Sequence, residues 1–176
     1  MRLFTAIPLP ASLKQAATEV FRGRLSVPYI NTSNLHVTLN FFGELTDEEV
    51  ERVKLIFQET MTGQKGFPIE FDRVTQFRQQ IHITLRPNEP LKSLQATLNR
   101  AFIAAGFDMQ ERIYYPHVKL TNLHMDKIMH PERKLEHFPN QELKKLDFLA
   151  TSAVLYESKL LLHHAQHIPL IEAKLI

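Results

Sequence analysis

Hydrophobic and polar residues alternate with two different periods along the chain, and each change of period predicts where an element begins or ends. Alternation with a period of two is typical of a strand buried on one face, and it predicts strands at Leu3–Ile7, Asn34–Gly43, Phe67–Phe77, Ile81–Leu85, Tyr114–Asn122, Leu146–Tyr156 and Gln166–Lys174. Apolar residues at helical spacing predict helices at Ala11–Phe21, from a cap at Thr46 to about Met61, and at Leu91–Ala105.

Helix starts and chain breakers support these boundaries. Pro8-Leu9-Pro10 ends the first strand, and Thr46 followed by Glu49 has the spacing of a capping box. The polar span from His124 to Lys145 predicts no element. The order β-α-β-α-β-β-α, followed by further strands, predicts an α+β protein in which residues 1–176 form one domain of two lobes.

Composition limits the class of protein. The chain has 176 residues, 44% of them hydrophobic, which is enough for a substantial core. Its formal net charge is only +2, so a short or terminal anionic substrate fits better than long nucleic acid gripped through many phosphates. The chain has no cysteine, no apolar N-terminal run of signal-peptide length and no membrane-spanning stretch. We expect a cytoplasmic monomer that does not bind membranes.

Two of the predicted strands carry polar chemistry on one face. In the first, His36 and Thr38 point the same way, roughly 6–7 Å apart, while Val37 and Leu39 point into the core. In the second, His117 and Lys119 share a face in the same manner. Two similar strands indicate a duplicated unit whose halves face each other across a cleft. Two histidines there could act as general base and general acid on one phosphate.

These stretches resemble the 2H phosphoesterases, and most closely the bacterial and archaeal RNA 2',3'-cyclic phosphodiesterases, once called 2'-5' RNA ligases. The resemblance rests on four segments: Met1–Pro10, the first motif with its Phe-Phe-Gly tail, the Pro-His-Val-x-Leu of the second motif, and Leu155-Tyr156-Glu157-Ser158. It departs from the family at Lys119, where the family has Thr or Ser, and at Thr121-Asn122, where an Ala-Arg pair is usual.

The resemblance implies a bilobal, pseudo-twofold fold of two antiparallel β-sheets with helices packed outside and a central cleft. It also implies hydrolysis of an RNA 2',3'-cyclic phosphate end to a 2'-phosphate without metal or cofactor, with a reverse 2'-5' ligation as a further activity. His36 and His117 would be catalytic, and Thr38 and Lys119 would bind the phosphate. Which histidine is the base stays open, as do action on another cyclic or 2'-5'-linked nucleotide and a binding module without turnover.

Other histidines and aromatic residues offer competing patterns. His82-Ile83-Thr84 also has His-x-Thr spacing, but the family resemblance implies that the hairpin strand after the second helix is structural. His163-His164-x-x-His167, with His124, His130 and His137, could scatter on a surface loop or converge on a metal, and we predict no metal site. Stacking or steering of a nucleotide could involve Phe41, Phe42, Arg78 and Tyr115, although core or surface roles are favoured for each.

Overall fold

The computed structural model describes residues 1–22, 30–109, 113–122, 135, 138–161 and 165–176. Within these ranges the helices are α1 (Ala11–Phe21), α2 (Asp47–Met61) and α3 (Glu89–Ala104), with 3-10 helices at Thr32–Asn34 and Asn140–Leu146. The strands are β1 (Arg2–Pro8), β2 (His36–Glu44), β3 (Phe67–Ile69), β4 (Phe71–Phe77), β5 (Gln80–Leu85), β6 (His117–Asn122), β7 (Phe148–Ala150), β8 (Ser152–Leu160) and β9 (Ala165–Lys174). The predicted α+β class is confirmed.

Seven strands form an antiparallel sheet in the order β4-β5-β6-β2-β1-β8-β9, and β3 pairs with β7 in a second, small sheet. The large sheet can be divided into two groups of strands, β4-β5-β6 and β2-β1-β8-β9. The groups meet where Val37 of β2 pairs with Val118 of β6. The two motif strands are therefore direct neighbours in one hydrogen-bonded sheet.

Apolar side chains cover one face of the large sheet, and the helices pack against that face. Val37, Leu39, Val118 and Leu120 of the two motif strands are all buried in the core. Because neighbouring residues of a strand point to opposite faces, the polar residues of both motifs lie on the face away from this core. The alternation in the sequence thus decides which face carries the chemistry.

Local sequence accounts for the helix starts. The Thr46 side chain accepts a hydrogen bond from the Glu49 backbone N–H, and the Glu49 carboxylate accepts one from the Thr46 backbone N–H, so the predicted capping box is present. Helix α3 begins after Asn88, whose side chain accepts from the Leu91 N–H. None of the helices in the described ranges has the length and apolarity needed to cross a lipid bilayer.

Two predicted strands are each divided in the structure, and in both places the chain passes from one sheet to the other. Residues 67–77 change sheets at Glu70: Ile69 pairs with Phe148, whereas Phe71 pairs with Leu85. The Asp147 side chain accepts a hydrogen bond from the Phe71 N–H beside this crossing. Residues 146–156 likewise divide at Thr151 into β7 and β8. The alternation of polar and apolar residues does not show which strand each part of such a segment pairs with. The sequence therefore predicts one strand in each of the two segments.

Candidate active site

The four predicted site residues flank the register pair that joins the two motif strands. Val37 pairs with Val118, so antiparallel geometry sets His36 on the side of Lys119 and Thr38 on the side of His117. His36 and His117 are therefore diagonal to each other, as are Thr38 and Lys119. Diagonal neighbours in an antiparallel pair have Cα atoms roughly 7–8 Å apart.

Both histidines are oriented by the same local hydrogen bond. His36 Nδ1 lies 2.6 Å from the Asn34 carbonyl oxygen, and His117 Nδ1 lies 2.9 Å from the Tyr115 carbonyl oxygen. A carbonyl only accepts, so each Nδ1 carries a hydrogen and donates it. Nε2 is then the atom that takes up or releases a proton, and this holds for both rings.

An aromatic cluster surrounds His36. Its ring lies 5.0 Å from the Phe4 ring, 6.4 Å from the Tyr156 ring and 5.1 Å from the His167 ring, centroid to centroid. The pKa of His36 is lowered to about 4, mainly by burial and to a lesser extent by the charges of His167, Lys119 and His117, while the hydrogen bond to Asn34 opposes this shift. His36 is therefore neutral at physiological pH, as a general base must be.

Lys119 projects from β6 into solvent on the open face, and its charge is felt by the histidines there. The ammonium group contributes to lowering the pKa of His36, His82 and His167, after burial in each case. The exposed ammonium of Lys119 thus adds positive charge to the open face that carries His36 and His82.

His82 and Thr84 of β5 extend the polar face by one more strand. His82 pairs with Lys119 and Thr84 pairs with His117 across the β5–β6 ladder. The His82 ring stacks on the His117 ring with centroids 4.1 Å apart and an interplanar angle of 16°. His82, for which a structural role is predicted, is therefore in direct contact with a candidate catalytic residue.

The two motif strands are also joined by a side chain. The Tyr114 hydroxyl donates a 2.8 Å hydrogen bond to the backbone carbonyl of Thr38. Burial raises the pKa of this phenol, which stays protonated and can donate throughout the physiological range. Tyr114 thus fixes the chain entering β6 to the middle of β2.

Beside His36 there is a polar pocket of about 70 Å³, and its lining includes Lys14, Asn34, Tyr156 and His167. The Asn34 amide donates to the Ala165 carbonyl, which holds the start of β9 against the first motif. A polar part of a substrate whose phosphate lies between the histidines would have room here.

Phe4, Tyr156 and His167 were not predicted as site residues. They come from the first and the last two strands, which approach the first motif only through the sheet order. Tyr156 belongs to the Leu155-Tyr156-Glu157-Ser158 segment that resembles the family, and this resemblance is the sequence signal that points to it. A single histidine such as His167, in an alternating strand, has no local signature.

The four residues suggested for stacking differ in their positions. Phe42 packs edge-on against Phe102 and Phe107 of the core, so it is not available to a nucleotide. Phe41 is 41% exposed below the guanidinium of Arg2. Arg78 lies over Phe77, and Tyr115 is 74% exposed next to His117.

Most of the histidines considered for a metal, His124, His130, His137, His163 and His164, lie outside the described residues. His167 is described, and it contacts His36 and Phe4. Among the residues that the structure describes, no group of three or more His, Asp or Glu side chains could hold a metal ion.

The open face of this antiparallel sheet presents two imidazoles and a hydroxyl, as the resemblance to the two-histidine phosphoesterases implies, together with the ammonium of Lys119. The model of the 2'-5' RNA ligase superfamily matches residues 9–160, and the chain belongs to this family. The resemblance inferred from the motifs is thereby confirmed.

Known proteins agree with this assignment. The chain is 27% identical to the RNA 2',3'-cyclic phosphodiesterase of Methanothermobacter thermautotrophicus over 127 residues, which is 67% of this chain and 68% of that protein. It is 22% identical to the RNA 2',3'-cyclic phosphodiesterase of Bacillus subtilis over 129 residues, 67% of this chain and 69% of that protein. The crystal structure of E. coli LigT complexed with 3'-AMP superposes with a TM-score of 0.75 at 23% identity, covering 99% of this chain and 97% of LigT.

Proposed function

We propose that this protein hydrolyses the 2',3'-cyclic phosphate at the 3' end of RNA to a 2'-phosphate, with His36 as general base and His117 as general acid. The observation that carries the proposal is the arrangement of the two imidazoles on paired strands, each with Nδ1 hydrogen-bonded to its own backbone. The family and the names of the two relatives support an enzyme of the cyclic phosphodiesterase class.

The reaction needs one proton to leave and one to arrive. Water attacks phosphorus while His36 Nε2 takes its proton, and the bond from phosphorus to the ribose 3' oxygen breaks as His117 Nε2 donates a proton to that oxygen. Attacking and leaving oxygens lie roughly in line across phosphorus, which suits an acid and a base placed diagonally to each other. The products are a 2'-phosphate and a 3'-hydroxyl, and proton exchange with solvent restores both histidines.

Burial supports the assignment of the base. The pKa of His36, lowered to about 4, keeps this ring neutral and ready to accept a proton at neutral pH. His117, on the more open side of the site beside Tyr115, then takes the role of acid. The Thr38 hydroxyl and the Lys119 ammonium are the groups that would hold the non-bridging oxygens, where negative charge builds.

The direct test is mass spectrometry of an oligoribonucleotide with a 2',3'-cyclic phosphate end after incubation with the protein. We expect a gain of one water, a product that co-migrates with a 2'-phosphate standard, and full activity in EDTA. His36→Ala and His117→Ala should each lower the rate at least about a hundredfold. An unchanged oligonucleotide mass with retained binding would instead indicate a binding module. Turnover restored to an EDTA-treated sample by zinc would overturn the mechanism.

A further inference from the structure

His82 is a buried polar residue on the same sheet face as His117. Only 7% of it is exposed, and it lies on β5 opposite Lys119, with Thr84 of the same strand opposite His117. Its ring plane is within 16° of the His117 ring plane at a centroid distance of 4.1 Å. At this distance the two rings are in full van der Waals contact over their faces.

The His82 ring is itself held on both flanks. Its Nε2 lies 2.8 Å from the side-chain oxygen Oε1 of Gln80, so it donates a hydrogen bond to that amide. Phe77, at the end of the neighbouring strand β4, lies nearly parallel to it at 6.1 Å and 28°. His82 thus lies between Phe77 on one neighbouring strand and His117 on the other, and it cannot turn without breaking these contacts.

His117 has less support of its own. Its Nδ1 donates a hydrogen bond to the Tyr115 carbonyl, and one face of its ring packs on His82. An exposed side chain without such contacts changes rotamer in picoseconds to nanoseconds. We infer that His82 is a positioning residue for His117: by stacking, it holds the imidazole so that Nδ1 stays bonded to its backbone and Nε2 stays presented to the substrate. The inference rests on the function proposed for His117.

The charge state of His82 suits this role. Burial, with charge on His117 and Lys119, lowers its pKa to about 4, so the ring is neutral at physiological pH. A neutral His82 ring stacks on His117 without adding a like charge beside it. The groups that face His82 are His117 and Lys119 from β6, Thr75 and Phe77 from β4, and Gln80 and Thr84 from its own strand. None of them is acidic.

His82→Ala and His82→Phe test whether His117 needs an aromatic ring at position 82. In His82→Ala we expect kcat to fall roughly ten- to a hundredfold with KM changed less than about threefold, because the acid loses its orientation but the phosphate keeps its ligands. His82→Phe retains a stacking ring and should restore kcat to within about threefold of the natural protein. Val74→Ala is the matched control: it shortens a buried side chain of the same hairpin, and Val74 pairs with Ile83 on the core side. We expect Val74→Ala to lower the melting temperature without the loss of kcat.

The second measurement does not depend on turnover. In ¹⁵N-labelled protein at about pH 8.5, where an ordinary imidazole is neutral, we expect His117 to be almost entirely the Nδ1–H tautomer. The same tautomer should persist in His82→Phe, and His82→Ala should show a mixture of both tautomers. The tautomer of His117 can be measured even if the natural protein hydrolyses no cyclic phosphate, so this test can fail separately from the proposed function. An unchanged tautomer in a folded His82→Ala protein, or a kcat equal to that of the natural protein, would overturn the inference.

Discussion

Lys119 stands where the family resemblance implies Thr or Ser, and it brings a positive charge to the site. It lies on β6 between the strands of His36 and His82, and its ammonium lowers the pKa of both, after burial. A cation here would attract a phosphate, and it adds to the burial that keeps His36 and His82 neutral. A threonine could donate to the phosphate but could not supply the second effect.

We therefore expect Lys119→Ala to weaken binding of the cyclic-phosphate oligonucleotide and to make the remaining affinity less sensitive to salt. Removing the ammonium also raises the pKa of His36, so the acid limb of kcat/KM, expected near pH 4 in the natural protein, should move to higher pH. Lys119→Thr should retain activity. A rate increase in Lys119→Thr, together with unchanged salt dependence in Lys119→Ala, would mean that the ammonium does not contact the phosphate.

At the scale of elements, the link between β2 and β6 depends on few contacts. One register pair, Val37 with Val118, joins the two strands, and the Tyr114 hydroxyl adds a hydrogen bond to the Thr38 carbonyl. Tyr114 therefore adds a side-chain link beside the backbone pair that sets the register of the two motifs.

Tyr114→Phe removes this hydrogen bond and leaves the ring in place. We expect a loss of about 1 kcal/mol in the free energy of unfolding, measured by urea denaturation, and a several-fold lower kcat because the motifs lose register. Tyr115→Phe is the natural control, since Tyr115 is adjacent and 74% exposed. Equal effects from both substitutions would argue against the cross-strand hydrogen bond as the cause.

Sequence alone predicted elements well wherever the signal was local. The alternation of the two motifs placed Val37 and Val118 in the core and the histidines on the opposite face, and Thr46 marked the start of α2. It could not predict that residues 67–77 change sheets at Glu70, because partner strands are set by tertiary packing. The contact of His82 with His117 was hidden for the same reason: it depends on the register between two strands and not on spacing within one.

For the whole molecule, two buried histidines make stability depend on pH. The pKa of His36 and that of His82 are both lowered to about 4, whereas an unfolded imidazole titrates near about 6.5. Between these values the unfolded chain binds more protons than the folded one. The folded state is therefore most favoured above about pH 6.5, and its stability falls as the pH drops toward 4.

We expect the free energy of unfolding to decrease from pH 7 to pH 4.5, with each buried histidine contributing on the order of 3 kcal/mol at most. Urea denaturation at a series of pH values measures this. His82→Phe removes one titrating group and should show a shallower decrease over the same range. A variant as pH-dependent as the natural protein would mean that His82 is already protonated in the folded state.

The small sheet has a mechanical consequence for the motif strands. It pairs Phe67–Ile69, which leads into β4, with Phe148–Ala150, which leads into β8, so the two groups of strands are joined a second time away from the Val37–Val118 pair. A swing of one group about that pair would have to break this second joint. The spacing between His36 and His117 is therefore held by the path of the chain through two sheets as well as by the register of β2 and β6.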